Sequence, residues 1–203
     1  MKVAIIDYKC GNIASLKNAI EFLGFDAEVT NTTSTIKACD KLVLPGVGTF
    51  KQGMQNLQKN HLIDFLQEAV FGDKKPILGI CLGAQLMLDG SEESPDHKGL
   101  SWIEGSVNKI IPTGNTCRVP HVGWDSALYT QDSLFAPKDS KELYYYTHSF
   151  CLNMTNPVDI IAHCDYASGF SAVFMKDNII GCQFHPEKSQ KAGLQFLKRY
   201  LDL

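Results

Sequence analysis

Residues 76–85 of this chain read Pro76-Ile77-Leu78-Gly79-Ile80-Cys81-Leu82-Gly83-Ala84-Gln85, and their order decides the fold. The first five are short and wholly apolar, a strand that ends at Cys81. From Leu82 to Leu88 the periodicity turns helical. Gly79 and Gly83 flank the cysteine in a small-x-nucleophile-x-small pattern. That pattern is a nucleophile elbow, a strained strand-to-helix turn that lifts one side chain above a sheet edge. Side chains at the two glycines would collide with the neighbouring strand and helix.

Working outward, Val3–Ile6 reads as a strand ending at Asp7. Gly11-Asn12 then opens a helix with apolar positions at Ile13, Leu16, Ile20 and Leu23, closed by Gly24. A strand follows near Ala27–Thr30. Another at Lys41–Leu44 is halted by Pro45-Gly46-Val47-Gly48, and Leu62–Val70 has helical spacing. Strands alternating with helices predict an α/β fold with a parallel core. Beyond Val107 come short β-rich runs at Val107–Ile111, Leu143–Thr147, Ile160–His163, Ser171–Met175 and Ile179–Phe184, and a last helix at Gln190–Leu201. Their close spacing predicts antiparallel additions to the same sheet. The expectation is an open, mixed, mainly parallel sheet flanked by helices. With no repeat or linker, residues 1–203 read as a single domain.

Composition narrows the function classes. A 44% hydrophobic and 20% charged chain is an ordinary globular one. The formal net charge of −3 gives no general reason to bind nucleic acid or an anionic membrane. No apolar run has the length to cross a bilayer, and the start lacks the basic and long apolar regions of a secretory signal, which argues for a cytoplasmic protein. The seven cysteines are odd in number and lack paired C-x-x-C spacing, so they read as reduced thiols. No cluster has ligand spacing, so no metal and no organic cofactor is implied.

Only Cys81 has neighbours that ask for chemistry. At a helix N-terminus a cysteine is favoured as thiolate, and the next backbone N–H, that of Leu82, can point into an oxyanion hole. Such a nucleophile needs a base and a group to orient that base. His185-Pro186-Glu187, directly after a strand, supplies both on one rigid turn. The small residues Gly46, Val47 and Gly48 leave backbone N–H groups free to approach an oxyanion, and their loop lacks the lysine of a phosphate-binding loop. Each piece alone has an ordinary reading: a buried cysteine in a tight turn, a surface histidine, a solvated acid, a glycine turn. Together they read as a catalytic site at strand ends.

With Pro45-Gly-Val-Gly48, Gly79-Ile-Cys-Leu-Gly-Ala-Gln85 and His185-Pro-Glu187 in this order, the chain resembles the class I, or triad, glutamine amidotransferases. Within them it is most similar to the glutaminase subunits of imidazole glycerol phosphate synthases. That likeness is carried by Asp7-Tyr8 with Gly11-Asn12, Pro120-His-Val-Gly-Trp124, Tyr146-Thr-His-Ser-Phe150 and Lys188-Ser189. The resemblance implies that Cys81 attacks the amide of L-glutamine with His185 as acid and base and Glu187 as its orienter. It implies that Gln85 and the backbone at Ser149-Phe150 hold the substrate's head, and that Leu82 and the Gly46-Val47-Gly48 loop meet the oxyanion. It also implies a heterodimer with a (β/α)₈-barrel cyclase that receives the ammonia, docked on a face that includes Asn12, Trp124 and Lys188. Trp124 reads equally well as a core aromatic. Lys9, Val122 and Asp125 depart from residues frequent in relatives; they leave the triad intact and touch the choice of partner. A related pair that forms an amidine on a surface sugar, a standalone cysteine hydrolase and a non-catalytic module are the competing expectations.

Overall fold

The computed structural model describes residues 1–114 and 117–203. The chain opens with β1 (Lys2–Ile6), α1 (Ile13–Phe22), β2 (Asp26–Thr30), α2 (Thr33–Ala38), β3 (Lys41–Gly46), α3 (Phe50–Lys59) and α4 (Ile63–Gln67). The elbow follows as β4 (Ile77–Cys81) and α5 (Leu82–Leu86), the latter two residues shorter than its apolar pattern predicts. Then come β5 (Gly90–Ser91), β6 (Gly105–Lys109), β7 (His121–Tyr129), β8 (Lys141–His148), β9 (Phe150–Met154), β10 (Ile160–Cys164), β11 (Phe170–Lys176), β12 (Ile179–Cys182) and α6 (Gln190–Leu201).

The main sheet runs β2-β1-β3-β4-β12-β11-β10-β7-β8. It is parallel from β2 to β12 and antiparallel from β12 to β8. Alternation along a strand sends successive side chains to opposite faces. Val3, Ile5, Val43, Leu78 and Ile80 therefore join one core with Leu16 and Ile20 of α1 and Phe196 and Leu197 of α6. Ala4, Ile6, Leu42, Leu44 and Ile77 join the other, with Ile36 of α2, Phe50 and Leu57 of α3 and Leu82 and Leu86 of α5. Helices on both faces are why these strands read as unbroken apolar runs.

Gly24 ends α1 in the left-handed region at φ +87°; its N–H donates to Glu21 O and that of Phe25 to Ile20 O, a Schellman closure. Lys9 also sits in the left-handed region, at φ +66°.

One expectation needs correction. The run at Val107–Ile111 does not join the main sheet. It forms β6, which pairs parallel with β5 and antiparallel with β9 in a separate three-stranded sheet. The cause is the single-residue bend at Ser149, where the chain leaves β8 at the edge of the large sheet and enters the small one as β9. Likewise β12 is antiparallel only to β11; toward β4 it is parallel.

Candidate active site

Strand β4 lies between β3 and β12, with Gly46 opposite Cys81 and Cys182 opposite Ile80. Three strand ends thus converge on one spot at the carboxyl edge of the parallel half, where open α/β sheets hold ligands. Cys81 has φ +51° and ψ −111°, a strained conformation for a residue with a side chain. The flanking glycines explain how the strain is held. A Cβ on Gly83 would strike the carbonyl oxygen of Leu44, and one on Gly79 would stand 2.7 Å from Ala84 Cα. Helix α5 is therefore pressed onto the sheet, and the turn cannot relax without losing that packing.

His185 and Glu187 come from the turn after β12. The His185 N–H donates to Tyr145 O at 2.9 Å, and the Ser189 hydroxyl donates to His185 O at 2.6 Å while accepting the Tyr145 N–H at 2.9 Å. These bonds clamp the turn to β8. His185 Nδ1 is 3.0 Å from Glu187 Oε1, and both side chains are buried. The other ring nitrogen, Nε2, has no hydrogen-bond partner among the described residues. Burial works against a charged ring here, but the Cys81 sulfur and then the Glu187 carboxylate outweigh it. The result is an imidazolium held well above the ordinary histidine range.

Above Cys81 lies a cavity of about 400 Å³ lined by Val47, Gly48, Cys81, Leu82, Gln85, Glu93 and residues 147–150. Of the residues expected at the oxyanion, Val47, Gly48 and Leu82 face this cavity, and Gly46 lies behind them as the last residue of β3. Gln85, Ser149 and Phe150 also line it. Glu93 was not foreseen from sequence. It follows Glu92 in a polar loop, and folding brings its carboxylate to the cavity, where it accepts the Phe50 N–H at 2.7 Å.

The floor of the cavity is a connected set of hydrogen bonds. Gln85 Nε2 donates to Phe150 O at 2.8 Å and to Gln183 Oε1 at 3.2 Å. The Leu152 N–H donates to the same Gln183 oxygen at 3.2 Å, and Gln183 Nε2 points at Cys81 Sγ at 3.6 Å. His148 Nδ1 lies 2.9 Å from Phe150 O and must donate, since a carbonyl only accepts. Its Nε2 then accepts from His121 Nδ1 at 3.3 Å. Burial, followed by the nearness of His121, drops the His148 pKa to about 3, so the ring is neutral. His121 and His148 stand inside the Pro120–Trp124 and Tyr146–Phe150 motifs and Gln183 inside the run Ile179–Phe184, none with a role assigned from sequence. The available signal was a glutamine inside the apolar run Ile179–Phe184, since a buried amide must find partners.

The residues expected at a docking face are only partly gathered. Trp124 is 42% exposed, which decides against a core role. Its ring meets Tyr145 edge-on at 6.0 Å, and Lys188 Nζ stands 5.9 Å from the same Tyr145 ring. Asn12 is exposed at the start of α1, bonded to Ser15. Among the described residues no group of three His, Cys, Asp or Glu side chains could hold a metal ion.

The family model for class I glutamine amidotransferases matches residues 4–201. Imidazole glycerol phosphate synthase subunit HisH 2 of Vibrio vulnificus is 44% identical over 204 residues, covering 100% of this chain and 94% of that protein. Subunit HisH of Methanothermobacter thermautotrophicus is 42% identical, covering 99% and 98%. Among solved structures, a glutamine amidotransferase superposes with a TM-score of 0.78 at 14% identity, covering 98% of this chain and 97% of that one. PurLQS from Thermotoga maritima superposes with a TM-score of 0.75 at 15% identity, covering 99% and 97%; at such identities these two show the fold alone.

Proposed function

The chain belongs to the class I glutamine amidotransferases, and from that premise we propose that it is the glutaminase subunit of an imidazole glycerol phosphate synthase. In this reading residues 1–203 form one amidotransferase domain that works in the cytoplasm. It docks as a heterodimer on a barrel cyclase and passes ammonia to it for histidine biosynthesis. The joint reaction is a lyase step that makes imidazole glycerol phosphate and aminoimidazole carboxamide ribonucleotide. The observation that carries the reading is the convergence of Cys81, the Glu187-bound His185 and the lined cavity at one sheet edge.

Glutamine enters with its side-chain amide toward Cys81. The cavity offers its head group two kinds of partner. The Glu93 carboxylate and the Gln85 amide oxygen suit the α-ammonium. At the Ser149-Phe150 bend both carbonyls are already taken, by Ile110 N–H and by Gln85 and His148, so this backbone turns its donors to the α-carboxylate. The Cys81 thiolate attacks the amide carbon, and the oxyanion is met by the Leu82 N–H and by an N–H of the Gly46-Val47-Gly48 loop. His185, protonated at Nε2, gives that proton to the departing nitrogen, so ammonia leaves and a glutamyl thioester remains. His185 then takes a proton from water, which attacks the thioester and frees glutamate. Glu187 stabilises the imidazolium in both halves of the cycle and fixes which nitrogen faces the sulfur. Trp124 with Tyr145 and Lys188 form the docking surface, to which Asn12 belongs.

The test is glutamate release by the purified chain alone and with a barrel cyclase carrying its ribonucleotide ligand. Strong activation by the pair is expected. Cys81→Ala is expected to lose activity by about 10⁴-fold or more while still binding the cyclase. Full turnover without a partner would make the chain an independent hydrolase, and silence with this cyclase would direct the search to a sugar-amidinating partner.

A further inference from the structure

Gln183 is completely buried, though a primary amide is costly to bury unless its hydrogen bonds are made. Its orientation is fixed by groups that cannot exchange roles. Leu152 offers a backbone N–H, a donor only, so the atom it meets is the oxygen of Gln183. Gln85 is fixed the same way from its other side, because Phe150 O can only accept. The Gln183 oxygen thus receives two donors, and the nitrogen is left facing Cys81 Sγ at 3.6 Å. The structural duty of this side chain, tying β12 to β9 and α5, is done by its oxygen alone. The nitrogen has a separate object.

We propose that Gln183 is a hydrogen-bond donor to the nucleophile that holds Cys81 as a correctly aimed thiolate. A donor gains little from a neutral thiol and much more from a thiolate, because hydrogen bonds to an ionised acceptor are about twice as strong as neutral ones. An N–H fixed beside the sulfur therefore favours the charged form and restrains its position. His185 sits on the turn that follows Gln183, so one stretch of chain after β12 supplies both this donor and the proposed acid and base. In the first step of the reaction the sulfur's electron pair goes to the amide carbon. The Gln183 N–H holds that sulfur until the bond forms and transfers no proton itself. Gln85 connects the device to substrate: the amide proposed to receive the substrate's head also donates to the oxygen of Gln183.

The inference rests on Cys81 being the nucleophile of a glutaminase, and its test separates the two claims. The chain, without any partner, is alkylated with iodoacetamide across pH, with modified residues located by peptide mass. Gln183→Met removes both ends of the amide at nearly constant length, and Gln183→Asn keeps an amide but withdraws it from the sulfur. Both variants are expected to move the Cys81 alkylation midpoint up by about one pH unit, which makes alkylation roughly tenfold slower at pH values below the wild-type midpoint. A purely structural role would lower thermal stability and leave the midpoint in place. Should the Met variant fail to fold, the Asn variant gives the same reading. Midpoints equal to wild type in a folded variant would overturn the role of Gln183 while leaving the glutaminase reading intact. Wild-type chain unlabelled at Cys81, with other cysteines reacting, would overturn both.

Discussion

The two halves of the main sheet are built differently, and the site is divided between them. In the parallel half β1, β3 and β4 are buried along nearly their whole length and packed by helices on both faces. That half contributes Cys81, Leu82 and the Gly46-Val47-Gly48 loop, all placed by backbone geometry. In the antiparallel half β7 and β8 alternate between buried and accessible residues, with one face in the core and Val122, Trp124 and Leu143 exposed on the other. That half contributes the Ser149-Phe150 bend and the clamp on the histidine turn, placed by side-chain and loop hydrogen bonds. The lesson is that a turn held in strain needs packing from every side, whereas the sheet proposed as a docking surface keeps one face free.

The turn joining the halves is where a single substitution has the largest effect on chemistry. Glu187→Gln keeps the shape but removes the charge that helps to raise the His185 pKa. Because the folded ring is held protonated above its ordinary value, activity that requires the imidazolium is present at lower pH and fades as pH rises through that pKa. The substitution is expected to shift this basic limb to lower pH and to cut kcat by about 10²–10⁴-fold. A pH–rate profile with an unmoved limb would show that Glu187 is not the group that sets it.

A smaller effect probes the cavity wall between the halves. Glu93→Gln removes the negative charge proposed to meet the α-ammonium while leaving an oxygen for the Phe50 N–H. Loss of one hydrogen bond to a charged group, about 1.5–3 kcal/mol, predicts KM for glutamine up by roughly ten- to a hundredfold, with kcat changed far less. Steady-state kinetics with the activating partner distinguish this from a fall in kcat alone, which would put Glu93 in the chemistry rather than in binding.

The smallest expected change tests whether the parallel half owes its rigidity only to apolar packing. Lys41 is 4% exposed, and its ammonium donates to Tyr200 O at 2.9 Å and Leu201 O at 2.7 Å, closing the carboxyl end of α6. Lys41→Met keeps the stem and strips those carbonyls of their donor. A loss of about 1–3 kcal/mol is expected, read as a drop in thermal midpoint of several degrees with unchanged glutaminase activity. An unchanged midpoint would mean that water replaces the ammonium at no cost.

The legibility of the sequence follows the same division. In the parallel half, strands covered on both faces must be apolar throughout and their turns must carry glycine, so β1, β3, β4 and the elbow could be read from pattern. The helix Gln190–Leu201 was equally plain, since its apolar stripe has helical spacing and its observed bounds agree. In the antiparallel half the alternation is short and imperfect. The sequence of β6 points to the main sheet because nothing local marks the bend at Ser149 as a change of partner.

By itself the sequence determined the α/β class, the strained turn at Cys81 and the adjacency of histidine and glutamate on one proline turn. These depend on residues within a few positions of each other, where sterics and hydrophobic period dominate. Only the tertiary structure decided that Glu93 reaches the cavity from a polar loop and that Trp124 lies on the surface. It likewise decided that Gln183 aims its nitrogen at a sulfur 102 positions away in the chain. Such contacts depend on which strands become neighbours, and hydrogen-bond partners distant in sequence leave no periodic trace in it.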